Sequence, residues 1–365
     1  MKPRFIISGG GTGGHIFPAV AIANALKAKH PDAEFLFVGA LGKMEMEKVP
    51  KAGYAIEGLP VAGFHRGAIW KNLGFPIKLL KSMLKAKKIV KSFEPHAAIG
   101  TGGFASGPIL KAAGSARVPT FVQEQNAFPG VTNRLLSKTA KKVFTAYPNM
   151  ESFFPGVSIA DLGNPIRKEL FDGQLNRAEA IKHFGLNPEK KTILAIGGSL
   201  GAQSMNNALA MGVQKLIELD IQLIWQCGKH GEEMAKQSAE KYPEHIVATP
   251  FISEMAVAYS AADLVLSRAG AIAVSEIAAL GKPSILIPFP HAAGDHQTKN
   301  AEAMVKDNAA RMVADAQASE ELILEALQLL QDGESLRQIG QMAMQKGKPN
   351  AADAIASTIL QNLSL

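Results

Sequence analysis

The residues best suited to chemistry follow short apolar runs. The stretch FIISGGGTGGHIFPAVAIANAL (Phe5 to Leu26) places five glycines and Thr12 between a strand-like run and a helix-like run, and His15 comes directly after them. Gly9, Gly11 and Gly14 match the G-x-G-x-x-G spacing of a dinucleotide loop. That chemistry also requires an acid at the carboxyl end of the second strand to hold a ribose. Here the run EFLFVGA ends in Gly39 and Ala40, with Glu34 at its beginning. None of the pairs Gly42-Lys43, Gly228-Lys229, Gly281-Lys282 and Gly347-Lys348 continues to Ser or Thr, so a P-loop is absent. The general physics remains. Glycine lets backbone approach an oxyanion, and the next helix offers N–H groups and the positive end of its dipole. A phosphate or pyrophosphate is the natural occupant; a merely tight turn is the other reading.

Side chains at three places along the chain could act on a ligand held there. His15 opens a helix, where the neutral imidazole is favoured and can accept a proton near neutrality, or else simply pack against the helix end. Glu276, in RAGAIAVSEIAALG, lies among Ala, Ile and Val. Either it is a solvated helix charge, or its carboxylate points outward at the strand end and accepts both hydroxyls of a ribose. Asp295, His296 and Gln297 form a polar loop after the run SILIPF, able to read sugar hydroxyls or simply to face solvent.

These positions need a scaffold that brings glycine turns to one edge. The first half offers the strands RFIISGG, EFLFVGA, AAIGTGG, PTFVQEQ and KVFTAY, and the second offers TILAIGG, QLIWQCG, ADLVLSRAG and SILIPF. Continuous apolar strands alternating with helices predict parallel sheets covered on both faces, hence an α/β protein of two doubly wound domains. The length of 365 residues agrees with two domains. The turn signal in DLGNPIRKELF sets a boundary near Gly163, giving an N-terminal domain over 1–163 and a C-terminal domain over 164–340. A final amphipathic helix, 341–365, is expected to pack on either one, with the N-terminal domain preferred. Glycine loops at Gly9–Gly14, Gly100–Gly107, Gly197–Gly201 and Arg268–Ala271 fall at carboxyl ends of strands, where open parallel sheets bind ligands, and a cleft between the domains is expected there.

Composition limits the classes. The single cysteine, Cys227, sits in an apolar run and excludes an internal disulfide or a thiolate zinc cluster. Neither a signal peptide nor a membrane span is legible, so a cytoplasmic location is expected. Net charge is +7, but residues 1–160 carry +13 and the remainder −6. The basic half suggests a polyanion or an anionic membrane. Seven lysines lie between Lys71 and Lys91 with no acid before Glu94. At helical spacing Lys78, Lys81, Lys85 and Lys88 share one side and Leu79, Leu80, Met83 and Val90 another, just after Trp70 and Phe75. Either that apolar side packs on the core, or part of this surface docks on anionic lipid.

Taken together, GGGTGGHIFPA, GTGGFASGP, QEQNAFPGVTNR, GNPIR, GGSLGA, RAGAIAVSEIAALGKPSILIPFP and DHQTKNA resemble, in order and over nearly the whole chain, the N-acetylglucosaminyltransferases that convert lipid I to lipid II in peptidoglycan synthesis. The resemblance implies a GT-B fold of two Rossmann-like domains. It implies UDP-N-acetylglucosamine as donor, lipid I as acceptor, anomeric inversion, and no metal or other cofactor. It assigns Thr12, Gly13 and Gly14 to the sugar-phosphate side and His15 to the base. Asn126 would meet the donor sugar, Arg167 and Ser199 the nucleotide and diphosphate, and Ile252 the uracil edge through its backbone. Ala271, Ile272, Ala273, Val274, Ser275 and Glu276 would form the helix start beneath the phosphates, ending in the ribose carboxylate, with Gln297 on the sugar hydroxyls. Locally, Thr298 follows Gln297 where some members carry a second glutamine. The absence of an Asp-x-Asp pair agrees with a metal-free diphosphate site.

Three rivals differ in what they require. A UDP-N-acetylglucosamine 2-epimerase would share Glu276 and the phosphate loops but not need the lysine-rich helix. An NAD-dependent oxidoreductase lacks its ribose acid here. A nucleic-acid binder is disfavoured because the early aromatics lie mostly inside apolar runs, without a stacking platform, so no nucleic acid partner is expected.

Overall fold

The computed structural model describes residues 2–61 and 75–364. It forms two compact units. One runs to Arg167 and resumes at Pro349; the other is Lys168–Lys348. The expected boundary near Gly163 thus lies a few residues early. The segment 341–365 is not one helix either. It divides into Gly333–Lys346, in the second unit, and Ala351–Leu363, in the first. Pro349 disfavours helical backbone at the residue before it and, with Gly347, interrupts the run.

In the first unit, β1 (Arg4–Gly9), β2 (Glu34–Ala40), β3 (Ala55–Leu59), β4 (Ala97–Gly102), β5 (Thr120–Glu124), β6 (Lys142–Thr145) and β7 (Ile159–Asp161) form a sheet in the order β3-β2-β1-β4-β5-β6-β7. In the second, β8 (Thr192–Ile196), β9 (Gln222–Gln226), β10 (Ile246–Thr249), β11 (Leu264–Ser267), β12 (Ser284–Leu286) and β13 (Arg311–Met312) adopt β10-β9-β8-β11-β12-β13. All strand pairs are parallel. Each sheet therefore runs 3-2-1-4-5-6 from its own first strand, the doubly wound order, with the first unit adding a seventh strand.

The alternation of strand side chains fills both faces of each sheet. Ile6 joins Val38, Ala98, Val122 and Val143 on one face of the first sheet. Phe5 and Ile7 join Phe37, Ile99, Phe121 and Phe144 on the other. The helix Gly13–Lys29 covers this second face through Ile16, Ala19, Ile22 and Leu26, and Ala351–Leu363 lies beside it through Ile355 and Ile359. In the second unit Ile193, Leu223, Trp225 and Leu266 face one layer, and Leu194, Ile224, Val265 and Leu286 the other. Cys227 is buried, and that burial pushes its thiol pKa up.

The basic helix, Phe75–Phe93, packs differently from the sequence expectation. Its buried face is Ser82, Ala86, Ile89 and Val90, so only Val90 of the expected apolar side is fully buried. Small side chains at 82 and 86 allow this face to approach the sheet. Ile77, Leu80 and Leu84, at i, i+3 and i+7, are 61%, 62% and 60% exposed instead. Lys85 turns back to the sheet, its Nζ donating to the Gly58 carbonyl at 2.8 Å. Trp70 and Lys71 lie outside the described residues. No helix among the described residues is long and apolar enough to cross a membrane.

Because Ile355 and Ile359 are fully buried in the first unit's core, Ile359→Ala is expected to lower unfolding free energy by about 2–5 kcal/mol, read from urea denaturation. An unchanged midpoint would mean that the last helix is not part of that core.

Candidate active site

Within each sheet the strand order reverses beside the first strand, between β1 and β4 and between β8 and β11. Each reversal is flanked by two of the glycine loops, which is where an open parallel sheet offers a ligand site.

In the first unit the chains after β1 and β4 touch. The β1–β4 register shifts after Ser8↔Gly100, so that Gly9 pairs with Gly102 and Thr101 is the extra residue. The Thr101 hydroxyl donates to the His15 carbonyl at 2.7 Å. Gly10 N donates to the Gly102 carbonyl at 3.2 Å. No side chain fits here: a Cβ on Gly9 would lie 2.0 Å from Thr101 Oγ1, and one on Gly103, at φ +92°, 2.4 Å from the Gly10 carbonyl oxygen. Thr12 then begins the helix, its carbonyl accepting from His15 N and Ile16 N.

The imidazole of His15 has a defined orientation. Its Nδ1 lies 2.9 Å from the Gly10 carbonyl oxygen. A carbonyl only accepts, so Nδ1 carries the proton in the neutral ring and Nε2 the lone pair. Gly102, at φ +109°, lies against the ring edge; a Cβ there would be 2.9 Å from Nε2.

Asn126 follows β5, beside β4, and its amide N and Nδ2 donate to Glu124 Oε1 at 3.0 and 3.2 Å. The other oxygen of that buried carboxylate accepts from Gly130 N and Asn133 Nδ2. Arg167 stacks its guanidinium 5.4 Å from the Phe17 ring, on the helix that begins beside His15. The first unit therefore gathers Thr12, Gly13, Gly14 and His15, with Asn126 and Arg167 on neighbouring connections.

In the second unit Ser199 sits exposed in the loop after β8. That loop is braced by the next one: Lys229 N donates to the Ser199 carbonyl, and a Cβ on Gly228 would fall 2.0 Å from Gly201 N. After β11, Gly270 in extended backbone precedes the helix Ala271–Ala279, whose first turn holds no acid to compete with an anion. Ala271 and Val274 are buried, while Ile272, Ala273 and Ser275 are half-buried. Arg268 does not face this helix start. Its guanidinium donates to the Ile287 carbonyl, to Asp315 and to Ser204 Oγ, tying the ends of β11 and β12 together. Ile252, after β10, buries its side chain in the core beside exposed Phe251.

One side chain differs from its sequence expectation. Glu276 does not turn outward. It is 4% exposed, because Tyr259 from the helix Met255–Ala261 packs over it and donates its hydroxyl to Oε2 at 3.2 Å. Gln297 Oε1 accepts from Phe289 N at 2.9 Å, so its amide hydrogens are what it can offer a ligand hydroxyl.

Sequence reasoning missed Glu45 and Glu124, which read as ordinary charges. Glu45 is the acid that meets the glycine loop, accepting from Gly11 N at 2.8 Å and Ala40 N at 3.0 Å. The available signal was its place: just beyond the end of β2, in the position where a ribose acid would be sought.

Two doubly wound units, each with paired glycine loops at its switch point, have the architecture of the GT-B class. The glycosyltransferase family 28 N-terminal domain matches residues 5–145 and the family's C-terminal domain residues 192–355. The chain belongs to glycosyltransferase family 28. A relative from Phocaeicola vulgatus, named UDP-N-acetylglucosamine–N-acetylmuramyl-(pentapeptide) pyrophosphoryl-undecaprenol N-acetylglucosamine transferase, is 52% identical over 362 residues, covering 98% of this chain and 96% of that one. Among solved structures, MurG of Acinetobacter baumannii superposes with a TM-score of 0.79 at 29% identity, covering 99% of this chain and 100% of that one. The UDP-N-acetylglucosamine 2-epimerase of Neisseria meningitidis, solved with that nucleotide sugar, has a TM-score of 0.70 at 14% identity, covering 99% and 100%. That second likeness is one of fold.

The close approach at Gly102 is checked by substitution. Gly102→Ala is expected to cost about 1–3 kcal/mol in urea titrations through its positive φ and its contact with the His15 ring. Gly107→Ala, whose Cβ would meet only Thr132 Cγ2 at 3.9 Å, should leave stability unchanged or slightly raised. Equal stability in the two variants would contradict the tight fit.

Proposed function

We propose that this protein transfers N-acetylglucosamine from UDP-N-acetylglucosamine to the C4 hydroxyl of the muramoyl sugar of lipid I, inverting the anomeric centre and forming lipid II. The relatives' names support the substrates and the reaction. The observation that carries the chemistry is the contact of His15 Nδ1 with the Gly10 carbonyl, which places the ring's lone pair on Nε2, the atom that serves as base in this reading.

In this reading Nε2 takes the proton of the attacking hydroxyl while its oxygen bonds to the anomeric carbon. The bond from that carbon to the β-phosphate oxygen breaks, and its electron pair leaves with UDP. In the same reading the charge developing there is met by amides at the start of Ala271–Ala279 and by the Arg167 guanidinium. Glu276, buried beneath Tyr259, accepts from the ribose hydroxyls once that phenol gives way to them. Ser199 and Thr12–Gly14 address the phosphates, the backbone at Ile252 the uracil, and Asn126 and Gln297 the sugar. The first unit takes the acceptor and the second the nucleotide.

Replacing His15 with Ala is expected to leave UDP affinity, measured by calorimetry, nearly unchanged while turnover falls by about 10² to 10⁴. Retained turnover would remove His15 as the base.

A lipid acceptor requires contact with a membrane, and the helix Phe75–Phe93 supports such contact at the cytoplasmic face. Exposed Ile77, Leu80 and Leu84 line one side, and Lys81, Lys87, Lys88 and Lys91 flank them. Apolar side chains entering the interface and lysines contributing about 1 kcal/mol each suit peripheral binding to anionic lipid. The protein is expected to sediment with vesicles containing anionic phospholipid, and less so after Leu80→Ser and Leu84→Ser. Equal sedimentation with neutral vesicles would exclude electrostatic docking.

A further inference from the structure

The Gly10–Gly11 peptide is held at both of its polar atoms. Its N–H, on Gly11, donates to Glu45 Oε2 at 2.8 Å, and its carbonyl, on Gly10, accepts from His15 Nδ1 at 2.9 Å. Glu45 is 1% exposed and its other oxygen accepts from Ala40 N at 3.0 Å. Both of its oxygens therefore accept from backbone N–H groups. Two glycines make room for it: a Cβ on Gly10 would lie 2.1 Å from Glu45 Oε1, and one on Gly39 2.5 Å from Glu45 Cγ.

We infer that Glu45 is a positioning residue that acts on His15 through this single peptide. A negative charge on the N–H end polarises the amide and strengthens its carbonyl as an acceptor, since hydrogen bonds in series reinforce one another at low dielectric. The strengthened carbonyl holds the proton on Nδ1 and keeps the lone pair on Nε2. A carboxylate that orients a catalytic histidine usually touches the ring; here a backbone amide stands between them. The arrangement also occupies Gly11 N, so that amide serves the imidazole and not a phosphate. This inference rests on the reading of His15 as base, but its central observable does not.

That observable is the tautomer of His15, read from ¹⁵N chemical shifts and two-bond couplings in histidine-labelled protein. In the unaltered enzyme the neutral ring is expected as Nδ1–H, and an Nε2–H ring would overturn the inference without any variant. In Glu45→Gln the amide group has one acceptor and one donor end, so one of Gly11 N and Ala40 N loses its acceptor. Turnover is expected to fall about tenfold, the Michaelis constant for UDP-N-acetylglucosamine to stay within about twofold, and the Nε2–H tautomer to gain population. Glu45→Asp, which keeps the charge but withdraws it by one methylene, should move the tautomer in the same direction and serves if the glutamine variant does not fold. A loss of turnover with an unmoved tautomer would reduce Glu45 to structural support. If His15→Ala retains turnover while the tautomer still follows Glu45, the base assignment fails and the coupling stands.

Discussion

Backbone contact at the end of β1 governs the first unit. Where β1 and β4 part, two loops come within hydrogen-bond distance of each other, and the space between them excludes even a methyl group at Gly9 and Gly103. That proximity lets the peptide dipoles of one loop be fixed by groups of another. His15 is oriented by a carbonyl, the carbonyl belongs to a peptide whose N–H is held by Glu45, and the hydroxyl of Thr101, the extra residue of the register shift, secures the backbone beneath the ring. A side chain at any of these glycines would separate the loops and release the imidazole.

The second unit uses the same strand order for a different purpose. Its loops after β8 and β9 meet through glycine contacts at 201 and 228, and the Arg268 guanidinium braces the end of β11. A half-buried arginine that donates to carbonyls and to Asp315 fixes the ends of two strands, apart from the start of Ala271–Ala279. Here the polar side chain of interest, Glu276, is held by a phenol instead of by backbone. One architecture thus holds an imidazole through backbone in one unit and a carboxylate through a phenol in the other.

Much of the fold is legible in the residues, and the exceptions share a cause. Every interior strand was legible as an apolar run covered on both faces. The strands that were not are β3, β7, β10 and β13, the edges of the two sheets. The glycine loops and His15 were legible because chemistry at a strand end demands particular residue types. Glu45 and Glu124 were not, because a buried carboxylate satisfied by backbone amides has the same local sequence as a solvated one. The basic helix illustrates the same limit: Ser82 and Ala86 face the sheet while three larger apolar residues remain outside. Periodicity identifies an amphipathic helix, but not which side the neighbours leave room for.

The return of residues from Pro349 onward to the first unit makes the second an insertion within it. During synthesis the ribosome delivers the whole of the second unit before releasing the helix that completes the first. The later-made unit can therefore mature while the earlier-made one still exposes Ile22, Leu26 and their neighbours, which Ile355 and Ile359 then cover.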